Sequence, residues 1–390
     1  MIYEYPKLEQ KDHAVLGLIR EQRQQLRHQV SQNPTRWTGF LRKNTFARAI
    51  QGSNSIEGIN ANLAEAVAII DDERPETLEE ETIKALQGYR NAMTYVIRVH
   101  EDPHTEVNAQ FIRSLHFMML NYDMTKLPGQ WRNGPIYVVR EPTQDTEYEG
   151  PPADQIPSLM AEYVKQINSA ADYDSSTVLG AMAHLNLTMI HPFKDGNGRM
   201  ARALQTLVIS QNGITGPMFC SIEEWLGRNT EPYYAILKET GQGIWSPHRS
   251  ALPWVRFCLR AHYQQAVTLM RRNAIIGRVW EQISKIIKEL GLPDRIEAPM
   301  MDAAFGYKVK NGPYRSEAKI SETVASRDLK RLTELEYLVP FGEKRGRYYE
   351  AADKLKALVL AAKDKSGPIE DPYQLKNRSS SIGEQLSFEL

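Results

Sequence analysis

The stretch HPFKDGNGRMAR, residues 191–202, decides how the rest of the chain is read. Leu187, Met189 and Ile190 lead into it, and MARALQTLVI, residues 200–209, leads out, so it joins two apolar helices. Pro192 stops the first helix and leaves His191 at its C-terminal end. Gly196, Asn197 and Gly198 open the second, where glycines let a ligand approach main-chain N–H groups. A helix N-terminus with free N–H donors is an anion site. Arg199 and Arg202 stand three apart on that helix, so both guanidinium groups reach the same region and can grip phosphate. Asp195 is placed to hold Mg²⁺ against such a phosphate, and His191 is the one strong general base in the cluster. Phe193, apolar in a polar loop, is expected to tuck into the core. Taken singly, each feature has a plainer explanation. A histidine at a helix end is usually a cap, Asp-Gly and Asn-Gly are ordinary turns, and paired arginines are usually surface charge. Together within twelve residues they favour an anion site.

Working outward, 390 residues suggest two or three domains and suffice for a sizeable core. Lys+Arg and Asp+Glu both number 48, so the body of the protein is not a general polyanion binder. Cys220 and Cys258 are the only cysteines, which excludes a disulfide framework and a Cys-rich zinc module and fits a reducing compartment. No signal-peptide pattern and no run of 18 apolar residues occurs; the best candidate, residues 178–190, contains His184, Asn186 and Thr188. A cytoplasmic protein without a membrane segment is expected.

Helical periodicity is read upstream at 39–55, 62–71, 77–100 and 105–119, with Thr77 and Glu80 as a capping box. It resumes at 156–167, 176–190, 198–210 and 221–274, and a separate helix is read at 275–290. Residues 126–152 are turn-rich, with a short β-like run at Ile136, Tyr137, Val138 and Val139. No strand–helix–strand alternation, GxGxxG after a strand or GxxxxGK motif appears, so the fold class is all-α. After residue 300 the order short helix, turn, helix, hairpin predicts a winged helix-turn-helix. The expected organisation is a helical region at 1–84, a core with packed helices at 85–290, the winged module at 300–360 and a flexible tail at 361–390.

Residues 191–202 resemble the signature of the Fic (filamentation-induced-by-cyclic-AMP) family, HxFx(D/E)GNGRxxR, at every specified position. PGQWR at 128–132 and Pro151-Pro152 are also similar to the family, and the resembling core runs from about 85 to 240. The resemblance implies an all-α Fic core with a short β-hairpin flap. It implies transfer of AMP from ATP to a Ser, Thr or Tyr hydroxyl of a protein, another chain or this one, with release of pyrophosphate. His191 is then the base and Asp195 the Mg²⁺ ligand. Asn197 holds the α-phosphate with the backbone of Gly196 and Gly198, while Arg199 and Arg202 bind the outer phosphates. Ile136, Tyr137, Val138 and Val139 form the flap that aligns the target by main-chain pairing. Some family members use other donors; the intact glycine pattern here favours AMP.

SNSIEGIN resembles the family's inhibitory motif, Ser/Thr-x-x-x-Glu-Gly/Asn, through Ser53, Glu57 and Gly58, within 53–58. The implied device is Glu57 pairing with Arg202 and placing negative charge where the γ-phosphate belongs. Two alternatives stay open: removal of AMP, with Glu57 positioning water, and a DNA-binding regulator that uses the nucleotide site as a sensor.

The winged segment carries ten Lys/Arg and six Asp/Glu between Lys308 and Arg347. Arg327, Lys330 and Arg331 on the recognition helix and Lys344, Arg345 and Arg347 on the wing are placed for DNA backbone contact. Protein docking or dimerisation is the competing role. Trp37, Trp131 and Trp225 read as packing anchors, Tyr233 and Tyr234 as lining for the adenine side, and a homodimer is an expected state.

Overall fold

The computed structural model describes residues 1–375 except 33–34, 103, 141–144, 170–171, 212–214, 344–345 and 364–366. Helices dominate, and the described strands form two separate two-stranded sheets. No helix among the described residues is long and apolar enough to cross a membrane.

The central hydrophobic cluster is built by helices Glu80–Val99, Ala109–Leu120, Ile156–Ile167, Tyr173–Ile190 and Asn197–Gln211. Their starts are locally encoded. Asn108 accepts from the Phe111 N–H, Asp172 from the Ser175 N–H, and a proline sits in the first turn of Ile156–Ile167. The capping box lies elsewhere than read from sequence: Asn62 and Glu65 form it at the head of Leu63–Ile70. Thr77 instead donates to Glu65 Oε1 at 2.6 Å, and Glu80–Val99 begins without a side-chain cap. Asn197–Gln211 is buried all round, at 13 of its 15 residues. A helix so enclosed must direct its polar side chains to partners or into a site.

Residues 252–289 are one continuous 38-residue helix, Leu252–Glu289, not two helices meeting near residue 275. Its first half packs in a cluster with Val15, Leu16, Ile19 and Met182, and its second half in a cluster with Phe40, Leu41 and Met300. It therefore joins the core to the C-terminal module. That module runs Glu297–Ala304, Asn311–Ala318 and Glu322–Glu334, then strands Leu338–Phe341 and Tyr348–Ala351, then Asp353–Ala362. The hairpin pairs antiparallel from Leu338↔Ala351 to Phe341↔Tyr348, and Val309 bridges to Tyr349. Lys344 and Arg345 lie outside the described residues.

The described part of the C-terminal tail is docked, which corrects the expectation of a flexible tail there; 364–366 and 376–390 lie outside the described residues. Arg271 donates to Gly367 O at 2.7 Å, Arg260 pairs with Asp371 at 2.8 Å, and the Tyr373 hydroxyl donates to Asp12 Oδ1 at 3.1 Å. Asp12, fully buried on helix Gln10–Gln32, is also gripped by Arg256 at 2.9 and 3.1 Å.

The second sheet, at residues 137–149, lies where the flap hairpin was expected. Tyr137–Arg140 pairs antiparallel with Asp145–Glu149, with an irregularity between Val138 and Val139; Ile136 precedes the strand and accepts from the Gly150 N–H. The inner strand bonds on its other side to residues 243–245, through Glu149 N–H to Gly243 O and Trp245 N–H to Glu149 O, both 3.0 Å.

Candidate active site

The loop between helices Tyr173–Ile190 and Asn197–Gln211 is held in shape by its own side chains. Asn197 Oδ1 accepts from the Phe193 N–H and Asn197 Nδ2 donates to the Phe193 carbonyl, both at 2.9 Å. The Asn197 side chain is thus engaged in closing the loop, with the second Nδ2 hydrogen left over, and its main-chain N–H remains in the first turn. Gly196 takes φ +79°, and its carbonyl accepts the first helical bond, from Met200 N–H. First-turn N–H groups have no acceptor within a helix. Phe193 is fully buried, as expected, and stacks on His116 with centroids 3.7 Å apart.

His191 caps its helix in the left-handed region, at φ 51°. Its Nδ1 lies 3.1 Å from the Thr188 carbonyl, which only accepts, so Nδ1 carries the proton and Nε2 holds the lone pair. Burial pushes the imidazole below its ordinary value, against the Thr188 bond that raises it. Arg132 fixes the histidine's backbone: its Nε donates to His191 O at 2.8 Å, Nη1 to Gly134 O at 2.7 Å and Nη2 to Pro151 O at 2.5 Å.

Asp195 faces Lys126 Nζ at 3.1 Å and Arg199 Nη2 at 3.5 Å. Burial raises its pKa, yet Arg199 and Lys126 together hold the carboxyl below the usual range. Arg199 and Arg202 are almost wholly enclosed. Arg199 Nε and Nη1 and Arg202 Nη1 are buried with no hydrogen-bond partner. Such orphaned cationic donors at a helix N-terminus suit a polyanion.

The rest of Arg202 belongs to the distant motif. Its Nε donates to Ser53 Oγ at 2.8 Å, and its Nη2 donates to Ser53 O at 2.9 Å and to Glu57 Oε1 at 2.6 Å. Ser53 lies in the last turn of helix Thr35–Ser55, and Gly58, at φ +76°, turns the chain away after Glu57. A Cβ on Gly198 would lie 2.5 Å from Glu57 Oε1 and 3.1 Å from Arg202 Nη1. The carboxylate therefore rests over the glycine that opens the helix. Of the tyrosines expected near adenine, Tyr233 is buried and bonded to His184 at 2.9 Å, while the Tyr234 hydroxyl donates to Ile56 O at 3.1 Å.

The flap presents Tyr137 to solvent with Val138 half-buried; among the described residues, Tyr137–Arg140 has no strand on its outer edge. Two contributors escaped the sequence reading. His116 accepts from Gly129 N–H at 2.8 Å and donates to Asp195 O at 2.9 Å, with its pKa lowered by burial to about 4. Lys126 holds Asp195. The turn-rich PGQWR segment was the available signal: its Gly129 and Arg132 brace the signature loop.

Among the described residues no group of three or more His, Cys, Asp or Glu side chains could hold a metal ion. Asp195 fits as one carboxylate ligand of a Mg²⁺ that draws its other oxygens from phosphates and water, the usual manner for this ion.

Residues 106–209 match the model of the Fic/DOC family. Protein adenylyltransferase Fic of Nematostella vectensis is 24% identical over 267 residues, 65% of this chain and 55% of that protein. Protein adenylyltransferase fic-1 of Caenorhabditis elegans is 28% identical over 149 residues, 37% and 26% of the two chains. The matches thus span about a quarter to just over half of these relatives. A crystal structure of a Fic family protein from Desulfovibrio desulfuricans G20 shares the fold with a TM-score of 0.58 at 22% identity, covering 90% of this chain and 99% of that one. A structure of Fic-1 from C. elegans gives 0.53 at 19% identity, covering 66% and 72%. The Fic/DOC match is confined to residues 106–209, and the fold is mostly helical like those of its structural neighbours.

Proposed function

We propose that the chain is a protein adenylyltransferase that moves AMP from ATP onto a Ser, Thr or Tyr hydroxyl of a protein and is restrained by Glu57. The observation that carries this reading is one cradle made of a neutral His191, a glycine-opened helix N-terminus and the orphaned donors of Arg199 and Arg202. His191 Nε2 takes the proton from the target hydroxyl. The hydroxyl oxygen attacks the α-phosphorus, the bond from that phosphorus to the α–β bridging oxygen breaks, and pyrophosphate leaves. The first-turn N–H groups of Asn197–Gln211 face the charge that develops on the transferred group, and the two arginines take the outer phosphates. Asp195 would hold Mg²⁺, which would supply charge neutralisation along the phosphate chain. The outer edge of Tyr137–Arg140 aligns the target segment by main-chain pairing. Glu57 opposes the reaction by holding Arg202 and by placing its charge over Gly198.

The test is labelling with ATP tagged at the α-phosphate, of the purified chain and of a cell lysate, by wild type, Glu57→Gly and Glu57→Gly/His191→Ala. Glu57→Gly should label protein at least tenfold faster than wild type. Loss of His191 should then reduce labelling at least a hundredfold, the scale of a general base. Equal labelling by wild type and Glu57→Gly, both folded, would sink the inhibitory role. Absence of label from every protein in the Glu57→Gly reaction would sink the transferase. Loss of AMP from prelabelled protein under wild-type enzyme would favour removal over transfer.

A further inference from the structure

We propose that helix Thr35–Ser55 is a lever through which the C-terminal module sets how firmly Glu57 sits on Arg202. This rests on the inhibitory role given to Glu57 above.

The helix has two loaded ends. On its first half, Phe40 packs on Phe305 and Tyr307, with ring centroids 5.1 and 5.8 Å apart. Asn44 Nδ2 donates to the Tyr307 hydroxyl, and both groups are buried. Trp37 stacks on Trp280 of the long helix at 6.5 Å, and a Cβ on Gly277 would lie 2.6 Å from the Trp37 ring. On its last turn, Ser53 supplies two of the three oxygens that hold Arg202, and Glu57 follows in the next turn.

In that same last turn, beside Ser53, lies a backbone crossing: a Cβ on Gly227 would stand 2.6 Å from Gly52 Cα. No side chain cushions that contact, so the helix pivots there more readily than it slides. From Phe40 to Ser53 the helix rises roughly 20 Å, at 1.5 Å per residue. A small tilt of the far end at the module thus leaves Ser53, one residue past the crossing, in place and turns the segment beyond it that carries Glu57. Glu57, seated or unseated on Arg202, is the two-state element that such coupling requires. Coupling is reciprocal, so a nucleotide that displaces Glu57 must also loosen the Tyr307 end.

The test uses the full chain with Tyr307→Phe, which removes only the hydroxyl that Asn44 donates to, and with Tyr307→Phe/Phe40→Leu. The first readout is hydrogen exchange at Glu57, Gly58 and Ile59, whose amides bond to Asn54 O, Ser55 O and Asn54 O at 3.0, 3.1 and 3.0 Å. These amides should exchange at least fivefold faster in the double variant, and to a lesser degree in Tyr307→Phe, with amides of Asn197–Gln211 unchanged. The second readout is labelling, which should rise at least threefold when Glu57 is present and stay within twofold in a Glu57→Gly background. Unchanged exchange at 57–59 in both variants overturns the lever, as does an equal rise in the Glu57→Gly background. If amides of Asn197–Gln211 also speed up in the double variant, Tyr307→Phe alone decides. If Glu57→Gly labels nothing, the transferase reading fails and exchange still decides the lever.

Discussion

The Glu57 carboxylate lies 2.6 Å from Arg202 Nη2 and 2.5 Å from where a methyl carbon on Gly198 would stand. One contact ties up the arginine; the other covers the start of the helix that a phosphate must approach. Arg202 is buried while Glu57 keeps partial exposure, so the acid is the partner that can leave. Ser53, fully buried, keeps its two bonds to the same guanidinium and marks where the acid returns.

Gly198→Ala separates the two effects of Glu57. The added methyl would evict the carboxylate, since 2.5 Å is closer than real Cβ contacts allow, but it occupies the phosphate's ground as well. Nucleotide affinity by calorimetry should therefore fall at least tenfold below that of Glu57→Gly. An affinity equal to that of Glu57→Gly would mean that the phosphate does not lie over this residue.

The pH profile of labelling by Glu57→Gly should place its acid limb below about 6.5, the ordinary histidine value. The base works only when neutral, and burial lowers the pKa of His191, so the active form persists to lower pH. Removing Glu57 takes away a negative charge that raises this pKa, which moves the limb further the same way. A limb centred at or above 6.5 contradicts a buried neutral base.

Arg132→Lys tests positioning of the base. A lysine cannot fork to His191 O, Gly134 O and Pro151 O as this guanidinium does. In the Glu57→Gly background kcat should fall tenfold or more while KM for ATP stays within twofold. A rise in KM with kcat intact would assign Arg132 to nucleotide binding instead.

Much of the site was legible because its residues are adjacent in sequence. His191, Asp195, Arg199 and Arg202 fall within one loop and one helical turn, and the structure brings all four together. Helix Ile156–Ile167 was legible to the residue, since a proline in its first turn fixes the start. Reading Glu57 onto Arg202 succeeded through the family resemblance; local pattern says nothing about a contact spanning 145 positions. The same distance hid His116, whose partners Gly129 and Asp195 are 13 and 79 positions away. Asn197 shows a role that the motif alone does not reveal: its side chain clamps the loop through both polar atoms. The break expected near residue 275 is absent: the long helix carries the polar stretch RRN at 271–273 between two cores without interruption.

Asp12 has a consequence for how the molecule is built. Its partners Arg256 and Tyr373 follow it by 244 and 361 positions. At ribosomal speeds of roughly 5–20 residues per second, Arg256 emerges roughly 12–50 s after Asp12. Until then helix Gln10–Gln32 carries a carboxylate that docking would strand in apolar surroundings, a state that costs too much to persist. The helix therefore waits. A segment made 244 positions ahead of its partner is seated late, and the apolar face of that helix stays open in the nascent chain until Arg256 arrives.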